Sequence, residues 1–377
     1  MEKIIYVDHS ATTNLKKEVL DEMLPYLKQY YGNPSSSYLL GQKSKKAIED
    51  SREKIANILN AKSEGEIYFT SGGSEADNMI ILGIAYANRY RGNHIITTKI
   101  EHSAVLNTCK RLEEEGFEVT YLDVDKNGLI SIYDLQNVIK DTTILISIMF
   151  ANNEIGTIQP VEEIGKIARF KGVIFHTDAV QAIGNLKIDV NKMCIDALSA
   201  SAHKFYGPKG VGFAYIKEGI RFKPLINGGH QEKGKRAGTE NVASIVGMAK
   251  AFDIASNNVK IYYEKLLSLR NYFIDKIKEK IPNVVVNGSL EKRLPGNVNI
   301  YIPNVECKAL LTIFDMNKIY ASSGSACNSN ISSPSHVLKA IGLTDYMASN
   351  CLRITFGEEN TKSDVDFIID TILKNKN

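Results

Sequence analysis

The 377-residue chain is 44% hydrophobic and 24% charged, with 46 basic against 43 acidic residues and a formal charge of +3. This is the composition of a soluble globular protein long enough for two domains, and so small and dispersed an excess of positive charge argues against nucleic acid as the main partner. The N-terminus, MEKIIYVDHSATT, has no signal core, and the longest apolar run, ILISIMFA, falls far short of the roughly 20 residues a membrane span needs, so a cytoplasmic protein without membrane contact is expected.

From residue 66 to about residue 217, short β-rich runs alternate with helix-length amphipathic stretches. The runs are EIYFT, HIITTKI, EVTYLDV, TILISIMF, GVIFHTD, DALSASA and GVGFAYI; EADNMIILGIAYANRY, SAVLNTCKRLEEEG and VEEIGKIARFKG lie between several of them. Such alternation predicts an α/β fold with a mostly parallel sheet between helices. After residue 241 a long helical stretch runs through VGMAKAFDIAS and YYEKLLSLRNYFIDKIKEKI. The β-containing segments VVVNG, NVNIYI, IYASS and LRITF follow, which predicts a smaller α+β C-terminal domain. The expected division is a large domain over 15–257 and a small one over 258–377, joined by residues 1–14.

Open parallel sheets bind ligands at the carboxyl ends of their strands. Here those ends read FTSGGSE, TTKIEHS, IMFANNEIG, FHTDAVQ and ALSASAHK, which brings Ser74, His102, Asn153, Asp178, Gln181, Ser201, His203 and Lys204 to one edge. Gly72-Gly73-Ser74 between a strand and a helix reads as a phosphate cradle or as a plain capped turn. Asp178 closes a buried strand, where a carboxylate needs a partner; a protonated heterocyclic nitrogen would serve, as would backbone capping. Lys204 sits between small strand residues and a Gly-Pro turn, a setting for a partly desolvated, nucleophilic amine. A lysine, an aspartate and a phosphate grip together are what pyridoxal 5'-phosphate requires.

The motifs YVDHSATT, NPSS, FTSGGSEADN, EHSAVL, NNEIGTIQP, HTDAVQ, SAHKFYGPKGVG, KRAGTEN, SSGSAC and LRITFG occur in this order across nearly the whole chain. Together they resemble the cysteine desulfurase family, of the class V aminotransferase-like pyridoxal phosphate enzymes. The resemblance implies the pyridoxal-phosphate transferase fold, L-cysteine as substrate, a homodimer, and protein sulfur acceptors such as an iron–sulfur scaffold or a tRNA-thiolation enzyme. It makes Lys204 the Schiff-base lysine, Asp178 the partner of the pyridine nitrogen and His102 the imidazole stacked on the ring. Asn153 and Gln181 fall at phenolic-oxygen or substrate positions. Gly73, Ser74, Ser201 and His203 fall at phosphate positions, Thr239 at the residue lent across the dimer, and Asn33 and Arg353 at the substrate carboxylate. Three departures stand out: Ser74 replaces a usual threonine, Tyr38 a common histidine and Ala237 a frequent serine.

The cysteines are Cys109, Cys194, Cys307, Cys327 and Cys351; their odd count and wide spacing make neither a disulfide framework nor a metal site. Cys327 lies among small and polar neighbours, in YASSGSACNSNISSPSHV, unlike Cys194 between Met193 and Ile195, and the family's nucleophilic cysteine occupies this place; a structural role is expected for the others. Another class V reaction, transamination or selenocysteine lysis, would not need that thiol, and a non-enzymatic docking protein would need none of the set. DVDKNGLISIYD, residues 123 to 134, approximates a calcium loop but ends on Asp134 where a bidentate glutamate is required, so it reads as a polar turn. GHQEKGKR mimics a P-loop yet has Arg236 where Ser or Thr must meet magnesium.

Overall fold

The computed structural model describes residues 3–323 and 334–375. All seven predicted β runs of the first part enter one sheet. Its spatial order is Ile67–Thr70, Gly212–Ile216, Ala197–Ser201, Ile174–Asp178, Thr143–Ser147, His94–Thr98, Glu118–Leu122. The five strands from Ala197–Ser201 to Glu118–Leu122 are parallel, whereas Gly212–Ile216 runs against both neighbours. The reversal has a simple cause: residues 202–211 are too few for the dozen or more that a parallel crossover takes.

Alternate residues of each central strand feed two separate cores. Ile95, Leu145, Ile174 and Ala197 pack beneath the helices Gly73–Asn88 and Ser103–Glu114. Ile96, Ile146, Phe175 and Leu198 pack beneath the helices Leu39–Leu59 and Val161–Lys171 and the first half of Val242–Lys280. With both faces covered, the strands read as continuous runs of apolar and small residues.

The 39-residue helix Val242–Lys280 serves two cores. Residues from Ala243 to Ala255 pack on the large sheet. Leu266, Leu269, Phe273 and Ile277 pack instead on Val298, Ile300, Leu352 and Ile354 of a second, antiparallel sheet ordered Ser322–Ser323, Cys351–Thr355, Asn297–Tyr301, Val285–Val286. The IYASS run is split between two partners. Ile319–Tyr320 pairs in parallel with the N-terminal strand Ile5–Tyr6, and after Ala321 the chain moves to the antiparallel sheet. A period-two pattern carries no information on such a switch. Among the described residues no helix is long and apolar enough to cross a membrane.

Candidate active site

Five strand ends open on a cavity of about 440 Å³, within the roughly 300–1,000 Å³ usual for cofactor pockets. Of the residues singled out from sequence, Gly73, Ser74, His102, Asn153, Asp178, Gln181, Ser201, His203, Lys204 and Arg353 all line it. Asn33 and Thr239 are exposed and do not, and Cys327 lies outside the described residues.

Lys204 ends a short 3₁₀ turn, Ala202–Lys204, directly after the strand Ala197–Ser201. Two residues on, Tyr206 has φ +65°, a left-handed conformation that costs a bulky residue about 1–3 kcal/mol unless its surroundings impose it. They do so here: the Tyr206 N–H donates to Thr13 Oγ1 at 2.8 Å, and its hydroxyl accepts from the Glu358 N–H at 3.0 Å. The Thr13 N–H and hydroxyl both donate to the His203 carbonyl. The N-terminal segment thus straps the lysine turn, and Lys204 Nζ donates to the Ser10 and Ala11 carbonyls at 2.5 and 2.7 Å.

The opposite end of the cavity is built for an anion. Gly72 has φ +152° and is followed at once by the helix Gly73–Asn88, so the first N–H groups of a four-turn helix face the site without a side chain before them. A Cβ on Gly73 would stand 2.7 Å from Val180 Cγ2, so only glycine keeps that approach open. Ser201 and His203 face the same concavity. His203 Nδ1 lies 3.1 Å from Thr12 Oγ1, and burial, with Lys204 and Lys209 nearby, lowers its pKa to about 4. Its imidazole is therefore neutral near pH 7, with one ring nitrogen to donate and one to accept. Arg236 makes a two-pronged contact to Glu75 (2.8 and 3.1 Å), and Glu75 in turn accepts from the Ser71 N–H, tying the KRAGTEN loop to this helix start.

Asp178 is 6% exposed and accepts from the Val180 N–H at 2.9 Å. Burial raises its pKa, opposed by positive charge on His102, the Val180 N–H and Lys204. Such a carboxylate gains from a cationic partner within the cavity. His102 caps the helix Ser103–Glu114 by accepting from the Ala104 N–H through Nδ1 at 3.2 Å, which leaves Nε2 as its exchangeable nitrogen. Gln181 Nε2 donates to the Ser10 carbonyl at 3.0 Å.

Sequence reasoning passed over three buried acids in the cavity wall. Asp77 is pushed well above the usual carboxylate range by burial and by the Asp178 charge. Glu101 is lifted to about 8 by burial despite accepting from the Met149 N–H and the Thr98 hydroxyl. Glu154 is lifted to about 7, again by burial. All three stand inside or beside quoted motifs, EADN, EHS and NNEIG, but a charged letter in a motif does not disclose that it is buried.

The donor set fits pyridoxal phosphate. A helix N-terminus with Ser201 and His203 could hold its phosphate, Asp178 its ring nitrogen and Lys204 its aldehyde carbon. The site is that of a pyridoxal-phosphate-dependent enzyme. Residues 5–368 match the family model of class-V aminotransferases. The chain is 54% identical over 376 residues to the cysteine desulfurase IscS of Clostridium botulinum, covering 99% of this chain and 94% of that one. A solved NifS-like protein superposes with a TM-score of 0.92 at 37% identity over 99% of both chains. Another, SspA in complex with cysteine, gives 0.83 at 38% identity over 93% of this chain and 98% of that one. The chain belongs to the cysteine desulfurases of the class-V aminotransferase family.

The four described cysteines are buried and free. Burial pushes the thiols of Cys109, Cys307 and Cys351 up to about 12, so they are inert near neutrality. The calcium-like stretch is a turn in which Asp125 Oδ1 accepts from the Asn127 and Leu129 N–H groups, both at 2.9 Å. In the P-loop-like stretch, Glu232 makes a buried two-pronged ion pair with Arg52, both contacts at 2.7 Å.

Proposed function

We propose that this enzyme takes sulfur from L-cysteine, releasing L-alanine and leaving a persulfide on Cys327 that passes to protein acceptors, such as an iron–sulfur scaffold or a tRNA-thiolation enzyme. The observation that carries the reading is the convergence of Lys204, buried Asp178 and buried Arg353 on one cavity. The overall change is balanced: cysteine and the Cys327 thiol give alanine and the Cys327 persulfide, with no external oxidant or reductant.

Pyridoxal phosphate, when bound, supplies an aldehyde for the substrate amine and an electron-accepting ring that stabilises charge at the α-carbon. Arg353 takes the substrate carboxylate; its Nε, buried and without a hydrogen-bond partner among the described residues, is a donor in want of one. Asp178 holds the proton on the ring nitrogen. Lys204 Nζ moves the substrate's α-proton. The Cys327 thiolate attacks the substrate sulfur as the carbon–sulfur bond breaks, and His102 Nε2 serves as the nearby acid–base group. Asn153 and Gln181 act in substrate or ring contacts, and Ser74, Ser201 and His203 in the phosphate grip. A free thiol requires a reducing compartment, consistent with a cytoplasmic enzyme. In this reading residues 258–377, with 1–14, form the smaller domain; the support is the separate core around Leu266, Val298 and Ile354.

Brief incubation with L-cysteine, followed by mass spectrometry and amino-acid analysis, should find one added sulfur atom on the Cys327 peptide and one alanine for each persulfide. Alanine without protein-bound sulfur would overturn the reading.

The proposed unit is a homodimer. Thr239 is exposed and absent from its own chain's cavity, while its loop is anchored beside the anion site by Arg236; this supports a reach into the partner's site. The large apolar residues Leu27, Tyr31, Tyr38 and Leu39 are also 57–74% exposed, as expected of a face covered by another copy. Thr239→Ala should weaken cofactor retention by about 1.5–3 kcal/mol, the worth of one hydrogen bond to a charged group. Equilibrium dialysis and sedimentation measure both parts, and an active monomer that keeps its cofactor as well as the native protein would refute the assignment.

A further inference from the structure

The face of the large sheet beneath the helix Gly73–Asn88 turns polar one step before the cavity. Side chains alternate along a strand, so Ile174, His176 and Asp178 share this face, as do Leu145 with Ser147 and Ala197 with Ser199. Leu145, Ile174 and Ala197 belong to the apolar core under the helix. The next row is Ser147, His176 and Ser199, all fully buried. The His176 ring bridges its neighbours, with Nδ1 2.9 Å from Ser147 Oγ and Nε2 2.9 Å from Ser199 Oγ. Burial lowers its pKa to about 3, so the ring is neutral.

Asp77 closes this layer from the helix side. It is 1% exposed, stands on the second turn of Gly73–Asn88 and lines the cavity. Its Oδ1 lies 3.8 Å from His176 Nε2, too far for a hydrogen bond, and has no hydrogen-bond partner among the described residues. An ionised carboxylate enclosed in this way is costly. The charges that act on it are those of two further acids, Asp178, the register partner of Ser199, and Glu101, from the link before the helix Ser103–Glu114. Only the Ser199 hydroxyl works in the other direction among these groups. Cys109 of Ser103–Glu114 and Tyr68 of Ile67–Thr70, which face the same core, are held neutral by burial. The cavity cations His102 and Lys204 act on Asp178 instead.

Two carboxylates in one buried site do not both ionise unless a cation joins them. We propose that Asp77 and Asp178 share one proton while the site is without its cofactor, and that this proton leaves the pair as the ring nitrogen seats against Asp178. The proton passes to the ring nitrogen when the ring arrives neutral, and to water when it arrives protonated; no electrons are exchanged. Asp77 acts through Asp178 and is a positioning residue. The pair admits one negative charge into the empty site and matches the second to the cation that the ring provides. The proposal rests on the assignment of Asp178 to the ring nitrogen made above.

The test is equilibrium dialysis of the full-length holoenzyme in buffers from about pH 6 to 8, because the slope of the pyridoxal phosphate dissociation constant against pH counts the protons exchanged on binding. Asp77→Asn keeps the shape of the side chain and removes its acid proton. Native binding then releases one proton more than binding to the variant, whichever form of the ring arrives. The dissociation constant of the variant, relative to native, should therefore rise about tenfold for each unit of pH. A purely structural role for Asp77 would weaken binding by the same factor at every pH. A second measurement needs no substitution. In native protein carrying isotope-labelled aspartate, the infrared band of a protonated aspartic acid should disappear as pyridoxal phosphate is returned to the dialysed enzyme. A pH-independent ratio of dissociation constants, or persistence of that band in the loaded enzyme, overturns the proposal. Failure of the underlying reading looks different: Asp178→Asn would hold pyridoxal phosphate as tightly as the native enzyme.

Discussion

Lys204→Ala should yield a folded protein whose cofactor no longer becomes fixed to the chain on borohydride reduction, with turnover of cysteine reduced by at least about 10²–10⁴-fold from lost proton transfer alone. The fold should survive because the lysine turn is held by backbone and by neighbours. Thr13 bonds the His203 carbonyl and the Tyr206 N–H, and Glu358 bonds the Tyr206 hydroxyl; none of these contacts uses the Lys204 side chain. What the substitution removes is the amine that meets the Ser10 and Ala11 carbonyls at the cavity wall. Asp178 and the glycine cradle remain, so non-covalent cofactor should still bind, more weakly. The nearest competing lysine by position is Lys209, which is exposed and lines the phosphate-side concavity. Covalent fixation at native yield in the Lys204→Ala protein, on Lys209 or elsewhere, would show that the lysine has been assigned wrongly.

Cys327→Ser should separate cofactor chemistry from sulfur transfer. Cysteine should still change the spectrum of the bound cofactor, because Lys204, Asp178 and Arg353 are untouched. Alanine formation should fall by at least about 10³-fold, since an alcohol lacks the nucleophilicity of a thiolate toward sulfur. The remaining cysteines cannot take over. Cys109 is fully enclosed between Val105 and Leu112 in the core above the sheet. Cys307 donates its thiol to the Cys351 carbonyl, and Cys351 donates to that of Met347, each at 3.1 Å. A thiol with a pKa near 12 is about one part in 10⁵ ionised at pH 7. Cys194 is buried with its thiol 3.7 Å from the Lys192 carbonyl. Alanine and sulfide released at the native rate by Cys327→Ser would refute the persulfide mechanism in favour of a lyase that needs no protein thiol.

These two experiments rest on residues legible from the sequence for different reasons. Lys204 stood out because a strand of small residues runs into His-Lys and then a Gly-Pro turn, a local pattern whose geometry is fixed within a few residues. Cys327 stood out by the lack of apolar neighbours, and by resemblance to the family. Asp77 gave no such signal. It stands in a quoted motif, yet the groups it meets, His176, Asp178 and Ser199, come from strands far along the chain.

The sequence by itself determined the alternation of strands and helices, the buried character of the central strands and the polar groups at their carboxyl ends. These follow from period, side-chain size and turn chemistry, which act over a handful of residues. Only the tertiary structure decided that the strand Gly212–Ile216 runs backwards, because the short link from Ser201 leaves no room for a crossover. It alone decided that IYASS divides between two sheets, that one helix spans both cores, and that the N-terminal segment straps Lys204. It also decided which acids are buried and therefore carry raised pKa values. Burial depends on what the rest of the chain places overhead, and no stretch of residues encodes that locally.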